Sequence, residues 1–304
     1  MAVTVVGSVA LDSLETPFGT RERVLGGAAT HFSLAASFFT DVHVVGVVGE
    51  DFDEDDFAVF SDRGIGTDDL QRIEGGRSFH WSGRYEDDMA VAHTLATELN
   101  VFADFDPQLS ALARGASTLF LANIQPDLQR RVREQSGARL SGLDSMNYWI
   151  ESARDALVDA IGLVDVVSLN DAEVRMLIGE PNLARSARAL LGLGPSVALV
   201  KQGPYGAVMY TGDDFFSIPG YPLETVVDPT GAGDSFAGGF FGFLDSLGEE
   251  TPTRNALRCA AVYGSVLGSF VVEDFGTERV QRLTREEIDG RFAEFGEMMS
   301  FEVP

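Results

Sequence analysis

Short, unbroken apolar runs recur along the chain, and most are followed by a segment whose apolar residues return every three or four positions. The runs at 3–9, 42–48, 117–122, 138–143, 164–169 and 196–200 predict strands buried on both faces. The segments at 28–39, 52–63, 128–135, 153–161, 184–191, 236–247, 253–270 and 285–295 carry the helical spacing. Strands alternating with helices in this way predict an α/β chain built on a doubly wound, largely parallel sheet. Residues 207–210 and 214–218 predict a hairpin. Two stretches depart from the pattern. Residues 13–25 are polar and turn-rich and predict short strands outside the main sheet. Residues 78–85 and 94–102 alternate polar with apolar, as strands of a half-exposed antiparallel sheet do, so 77–102 is a candidate lid. There is no internal repeat and no low-complexity linker.

The strongest local chemistry lies at 228–234, Asp-Pro-Thr-Gly-Ala-Gly-Asp. The β-branched run Thr225-Val226-Val227 predicts a strand before it, and the spacing of Phe236, Phe240, Phe243, Leu244 and Leu247 predicts a helix after it. Small residues at 231–233 leave backbone N–H groups unobstructed at a helix N-terminus, which favours an anion. Asp234 falls in that first turn. Two readings stay open on the residues alone. The acid caps the helix, or it takes the proton of a hydroxyl that attacks a phosphorus held in the hole.

Other candidates sit where apolar runs end. Asp12 follows the first run, and Gly26-Gly27 precede the small-residue helix that carries His31. Asn123, Asp144 and Asn170 close three further runs, and Lys201 closes the last, ahead of the turn holding Gly203 and Gly206. Ligands of open α/β sheets bind at such carboxyl ends. The acidic run at 50–56 lacks EF-hand spacing and reads as a solvated helix start. His80 and His93 stand too far from other ligand types to argue for zinc.

The chain has 304 residues, 45% of them hydrophobic, ample for one large core or two domains. No run of about 18 apolar residues predicts a membrane span. The N-terminus lacks a basic region and reads as a strand rather than a signal peptide, so a cytoplasmic location is expected. The single cysteine, Cys259, lies in an apolar helical stretch, which rules out a disulfide framework and predicts a buried, inert thiol. The formal net charge of −25 makes nucleic acid and anionic membranes poor partners. Lys201 is the only lysine. An acid-rich, lysine-poor surface suits high salt, so a halophilic source is expected. Neither G-x-G-x-x-G after the first strand nor G-x-x-x-x-G-K-[ST] is present, which excludes a dinucleotide fingerprint and a P-loop.

Taken in order, these landmarks resemble the ribokinase-like, or phosphofructokinase-B, family of carbohydrate kinases over nearly the whole chain. Residues 228–234 match the family's C-terminal signature, Gly26-Gly27 its N-terminal one, and Asn170 with Glu173 its N-x-x-E motif. Lys201-x-Gly203-x-x-Gly206 matches the nucleotide-side turn. The resemblance implies a single three-layer αβα domain over 1–304, with lid segments at about 13–25 and 77–102. It implies ATP-dependent phosphorylation of a hydroxyl on a small sugar, with a nucleoside acceptor as the alternative and a non-catalytic binding protein as a more distant one. Asp234 is then the base, and Gly231, Ala232 and Gly233 form the anion hole. Asn170 and Glu173 order Mg²⁺ through water. Lys201, Gly203, Gly206 and Thr230 lie on the ATP side, while Asp12, Gly26, Gly27, His31 and Asn123 bind the acceptor. Asp228 is a candidate ligand for a monovalent cation such as K⁺, with Gly276 near the second half of that site. A homodimer through the lid is also implied. His31 stands where many members have Asn and Pro229 where Thr is common; the first bears on which acceptor binds.

Overall fold

The computed structural model describes residues 1–89, 91–212 and 214–302. Its strands are β1 Ala2–Val6, β2 Ala10–Thr16, β3 Gly19–Gly26, β4 Asp41–Gly49, β5 Gly66–Ile73, β6 His80–Tyr85 and β7 Ala92–Glu98. They continue as β8 Thr118–Leu121, β9 Leu140–Asp144, β10 Val166–Asn170, β11 Val197–Lys201, β12 Ala207–Thr211 and β13 Asp214–Ile218. Nine of them form one sheet in the order β13-β12-β11-β10-β9-β8-β1-β4-β5. Pairing is parallel from β5 to β11 and antiparallel only at β12 and β13.

Alternation along each central strand explains why the runs are apolar throughout. Val3 and Val5 of β1, Val44 of β4, Phe120 of β8 and Leu199 of β11 enter one core. Their neighbours Val6, Val45, Leu119, Leu121, Ala198 and Val200 enter a second core on the opposite face. Helices cover both. Ala28–Ala36, Ala232–Leu247 and Arg254–Val271 pack on the first face, and Pro126–Gln135, Arg154–Ile161, Asp171–Ile178 and Leu183–Leu191 on the second. The result is the three-layer α/β architecture expected from the sequence.

The remaining strands form a separate sheet, β3-β2-β6-β7. It is mixed rather than purely antiparallel, because β2 and β6 pair in parallel between two antiparallel pairs. β7 is largely exposed, as a lid's outer strand would be. Residue 90, within the expected lid stretch, lies outside the described residues.

Four expectations need correction. The first apolar run is not one strand: β1 stops at Val6, and Gly7–Val9 carry the chain across to β2, so Asp12 sits inside a lid strand rather than past a main-sheet strand. Residues 225–227 form no strand. They lie beside the end of helix Arg254–Val271, where the Val227 N–H donates to the Val272 carbonyl at 2.8 Å. The second lid strand ends at Glu98, and Asn100–Asp104 turns into a 3₁₀ helix that stacks Phe102 on Phe105. Cys259 is half-buried rather than buried, next to Asn255 on the same helix. The edge strand β5 and helix Asp171–Ile178 were not foreseen.

Candidate active site

The carboxyl ends of β9, β10 and β11 bring Asp144, Asn170 and Lys201 together: Asn170 pairs with Lys201, and Ser168, two residues earlier on β10, pairs with Asp144. Facing them is the N-terminus of helix Ala232–Leu247. Between them lies a cavity of about 210 Å³ lined by Ala28, Asn123, Asp144, Ser145, Asn170, Glu173, Lys201, Gly233 and Asp234, among others. A larger, more open groove of about 600 Å³ runs between the lid strands and contains none of the sequence-predicted site residues.

The helix start is built by Gly231, whose φ of 76° is left-handed. A Cβ there would also collide with the His31 imidazole. Gly233 approaches Lys201 closely: a Cβ on it would lie 2.9 Å from Nζ. The lone ammonium therefore sits under the glycine loop. It donates to Asp144 Oδ2 at 2.8 Å, with only 16% of its side chain exposed. Burial pushes the Lys201 pKa down, but Asp144, Glu173 and Asp234 together outweigh it and hold it above its ordinary value.

The same burial acts on the acids. Asp234 is pushed up to about 7 by burial and then by the Asp144 charge, against Lys201. Glu173 is pushed up to about 7 by burial and by Asp144, with Lys201 and the Asn170 N–H opposing. Asn170 and Glu173 form a capping box: Asn170 Oδ1 accepts from the Glu173 N–H, and Glu173 Oε2 accepts from the Asn170 N–H, both at 2.8 Å. That fixes both side chains at the cavity wall and leaves Glu173 Oε1 free. Asn123 Oδ1 and Ser145 Oγ are buried without a hydrogen-bond partner. Such orphaned acceptors at a cavity wall fit a ligand that supplies donors.

Asp144 stood out in the sequence only as one candidate among several strand-end residues, with no role given to it. Its carbonyl accepts from Gln129 Nε2 at 2.9 Å, and the same amide donates to the Ala122 carbonyl, so Gln129 ties the ends of β8 and β9 together. Its sole sequence signal was a strand-end acid; its partner Lys201 lies two strands away.

The other predicted residues form a second group under the lid. Gly27, φ 93°, caps helix Ala28–Ala36, and a Cβ on it would strike the Ser8 backbone. Gly26 lies against the Asp12 carboxylate. Asp12 accepts from the Trp81 N–H at 3.3 Å and is pushed up to about 7, chiefly by burial, with Asp228 adding to it. Asp228 is fully buried, and its oxygens accept from the Thr230 and Gly276 N–H groups at 2.9 and 2.8 Å. Burial raises its pKa; the Thr230 hydroxyl, and then the Gly276 and Thr230 N–H groups, oppose the rise. His31 lies between the groups. Burial pulls it down to about 4, and both ring nitrogens lack partners. Gly203 and Gly206 lie in the turn after β11, outside the cavity lining. Among the described residues no cluster of three or more His, Cys, Asp or Glu is arranged to chelate a metal directly.

Residues 3–282 match the family model described as pfkB family carbohydrate kinase. The chain is 28% identical to a cytidine kinase of Thermococcus kodakarensis over 78% of this chain and 86% of that one. It is 26% identical to a nucleoside kinase of Methanothermobacter thermautotrophicus, covering 83% and 80%. Its fold matches a Burkholderia thailandensis nucleoside kinase solved with inosine, at a TM-score of 0.78, 19% identity and coverage of 97% and 98%. The order of landmarks, the glycine-capped helix with its half-buried acid and this near full-length match agree: the chain belongs to the pfkB family of carbohydrate kinases.

Proposed function

We propose that this kinase transfers the γ-phosphoryl group of ATP to a hydroxyl of a small sugar-bearing acceptor, with Asp234 as the base. The observation that carries the reading is Asp234 itself, a half-buried carboxylate in the first turn of a glycine-capped helix, sharing one cavity with Lys201 and Glu173. Asp234 takes the acceptor proton as the bond to phosphorus forms. The N–H groups of Gly231 and Gly233 are the donors left for negative charge gathering on the transferred group, because the Ala232 N–H, expected in the same hole, is bound to the Pro229 carbonyl at 3.2 Å. Lys201, held by Asp144, adds the only ammonium; Gly203, Gly206 and Thr230 complete the nucleotide side.

Three carboxylates face one ammonium, so an anionic nucleotide needs a cation with it. Glu173, through its free oxygen, and Asn170 would hold hydrated Mg²⁺, which would neutralise phosphate charge. Asp228 is the candidate contact for K⁺. Asp12, Gly26, Gly27, His31 and Asn123 form the acceptor side.

A nucleoside is the second reading, and one observation favours it. The Trp81 indole packs against Gly83 on its own lid strand, where a Cβ would overlap the ring. It is half-buried and shares a strand face with Tyr85. A planar base can stack on such a surface. The Thermococcus and Methanothermobacter relatives are named as a cytidine kinase and a nucleoside kinase, which supports the same choice, while a relative at 24% identity is named ribokinase. A panel of sugars and nucleosides with MgATP, read by ADP release and by the mass of the product at low and high salt, tests both readings. Phosphorylation of nucleosides alone selects the second; ADP release with no phosphorylated product from any acceptor overturns both. The homodimer through the lid is a separate proposal, tested by light scattering.

A further inference from the structure

We propose that Tyr85 is a positioning residue that clasps the lid to the catalytic loop, so that the loop takes its working shape only with the lid shut. This rests on the kinase reading above for its consequence but not for its geometry. Tyr85 ends strand β6 of the lid and is 9% exposed. Its hydroxyl lies 3.1 Å from Thr230 Oγ1, within the 228–234 loop. The Thr230 N–H is bound to Asp228 Oδ1, and Asp228 Oδ2 holds the Gly276 N–H. The opposite side of the lid meets that second bracket. Val24 of β3 packs so closely on Gly276 that a Cβ would overlap it, and the Arg21 guanidinium covers the Phe275 ring at 4.5 Å. The lid thus touches the body on both flanks of one buried carboxylate, and Tyr85 supplies the polar contact to the catalytic loop.

The hydroxyl is what needs explaining. A phenylalanine would fill the same space without a buried polar atom to satisfy. Burial and then the Asp228 and Asp12 charges push the Tyr85 phenol up to about 12, while the Thr230 hydrogen bond opposes them, so it stays neutral and protonated at working pH. A closed lid keeps water from the phosphoryl group and commits it to the acceptor. Opening the clasp should therefore raise idle ATP hydrolysis relative to transfer. A purely packing role for the ring would leave that ratio unmoved in Tyr85→Phe.

Hydrogen exchange of residues 79–86 in the ligand-free protein tests the clasp directly. The comparison uses wild type, Tyr85→Phe, Thr230→Val and the double variant. Loss of one buried hydrogen bond should speed lid exchange roughly three- to tenfold in each single variant. The double variant should exchange no faster than either, because both remove the same bond. Exchange in Tyr85→Phe equal to wild type, or additive effects in the double variant, overturns the proposal. The ratio of hydrolysis to transfer is then measured with an acceptor. A wild-type protein that phosphorylates no acceptor removes the kinase reading, while the exchange data still decide the clasp. Altered exchange with an unchanged ratio overturns the link between clasp and catalytic loop.

Discussion

Asp234→Asn removes the proposed base and also a charge that the fold does not favour, so it should lose activity and gain stability. The folded carboxyl titrates near 7 against an ordinary 3.8. The folded state therefore holds its proton more tightly than the unfolded chain. As pH rises from about 4 to about 7 the unfolded chain releases a proton that the folded state keeps, and stability is lost across that window. At about 1.36 kcal/mol for each decade of proton affinity, the full cost above pH 7 is about 4 kcal/mol. Asparagine does not ionise and avoids it. Lys201 keeps its 2.8 Å partner Asp144, so no ammonium is left bare. Urea unfolding of both proteins at pH 8 and pH 5.5 measures the difference. The variant should gain about 4 kcal/mol at pH 8 and only about 2 kcal/mol at pH 5.5. No gain at pH 8, or the same gain at both, would refute the reasoning. ATP binding should survive while turnover falls by about 10²–10⁴.

Further expectations follow from the same geometry. The wild-type rate should fall as pH drops through about 7, where Asp234 protonates, and Asp144→Asn should move that acid limb to lower pH, because after burial the Asp144 charge is the largest cause of the shift; a limb that stays in place contradicts this. Gly231→Ala forces a Cβ into the His31 ring at a left-handed φ of 76° and should cost about 1–3 kcal/mol of stability. Thermal melts should show that cost reduced in a His31→Ala background, and equal costs in both would break the link. A net charge of −25 repels itself at low ionic strength, so the melting temperature should rise toward molar salt; a flat salt series sinks the halophilic expectation.

The strand ends were readable because a strand buried on both faces leaves an unbroken apolar run, and the first polar residue after it marks the sheet edge. Asn170 and Lys201 were found that way, and the lid by its change of period to two. Thr225–Val227 misled because β-branching measures fit to a pleated, half-buried surface, and these residues meet a helix end instead of a sheet. Val3–Val9 misled because apolar character persists where the chain crosses between two sheets. Asp144 gave little signal because its role depends on Lys201, 57 residues away. The Tyr85 contact with Thr230 spans 145 residues and has no local pattern at all. Cys259 was misjudged because apolar neighbours along a helix do not fix which face it occupies.

Mass spectrometry of the product decides whether Asp234 drives phosphoryl transfer from this cavity. Wild type and Asp234→Asn would be incubated with MgATP and a set including ribose, fructose and cytidine. The wild type should give one phosphorylated acceptor and a matching amount of ADP. The variant should give almost none, although it still binds ATP. Near-full turnover by Asp234→Asn would contradict that role for Asp234.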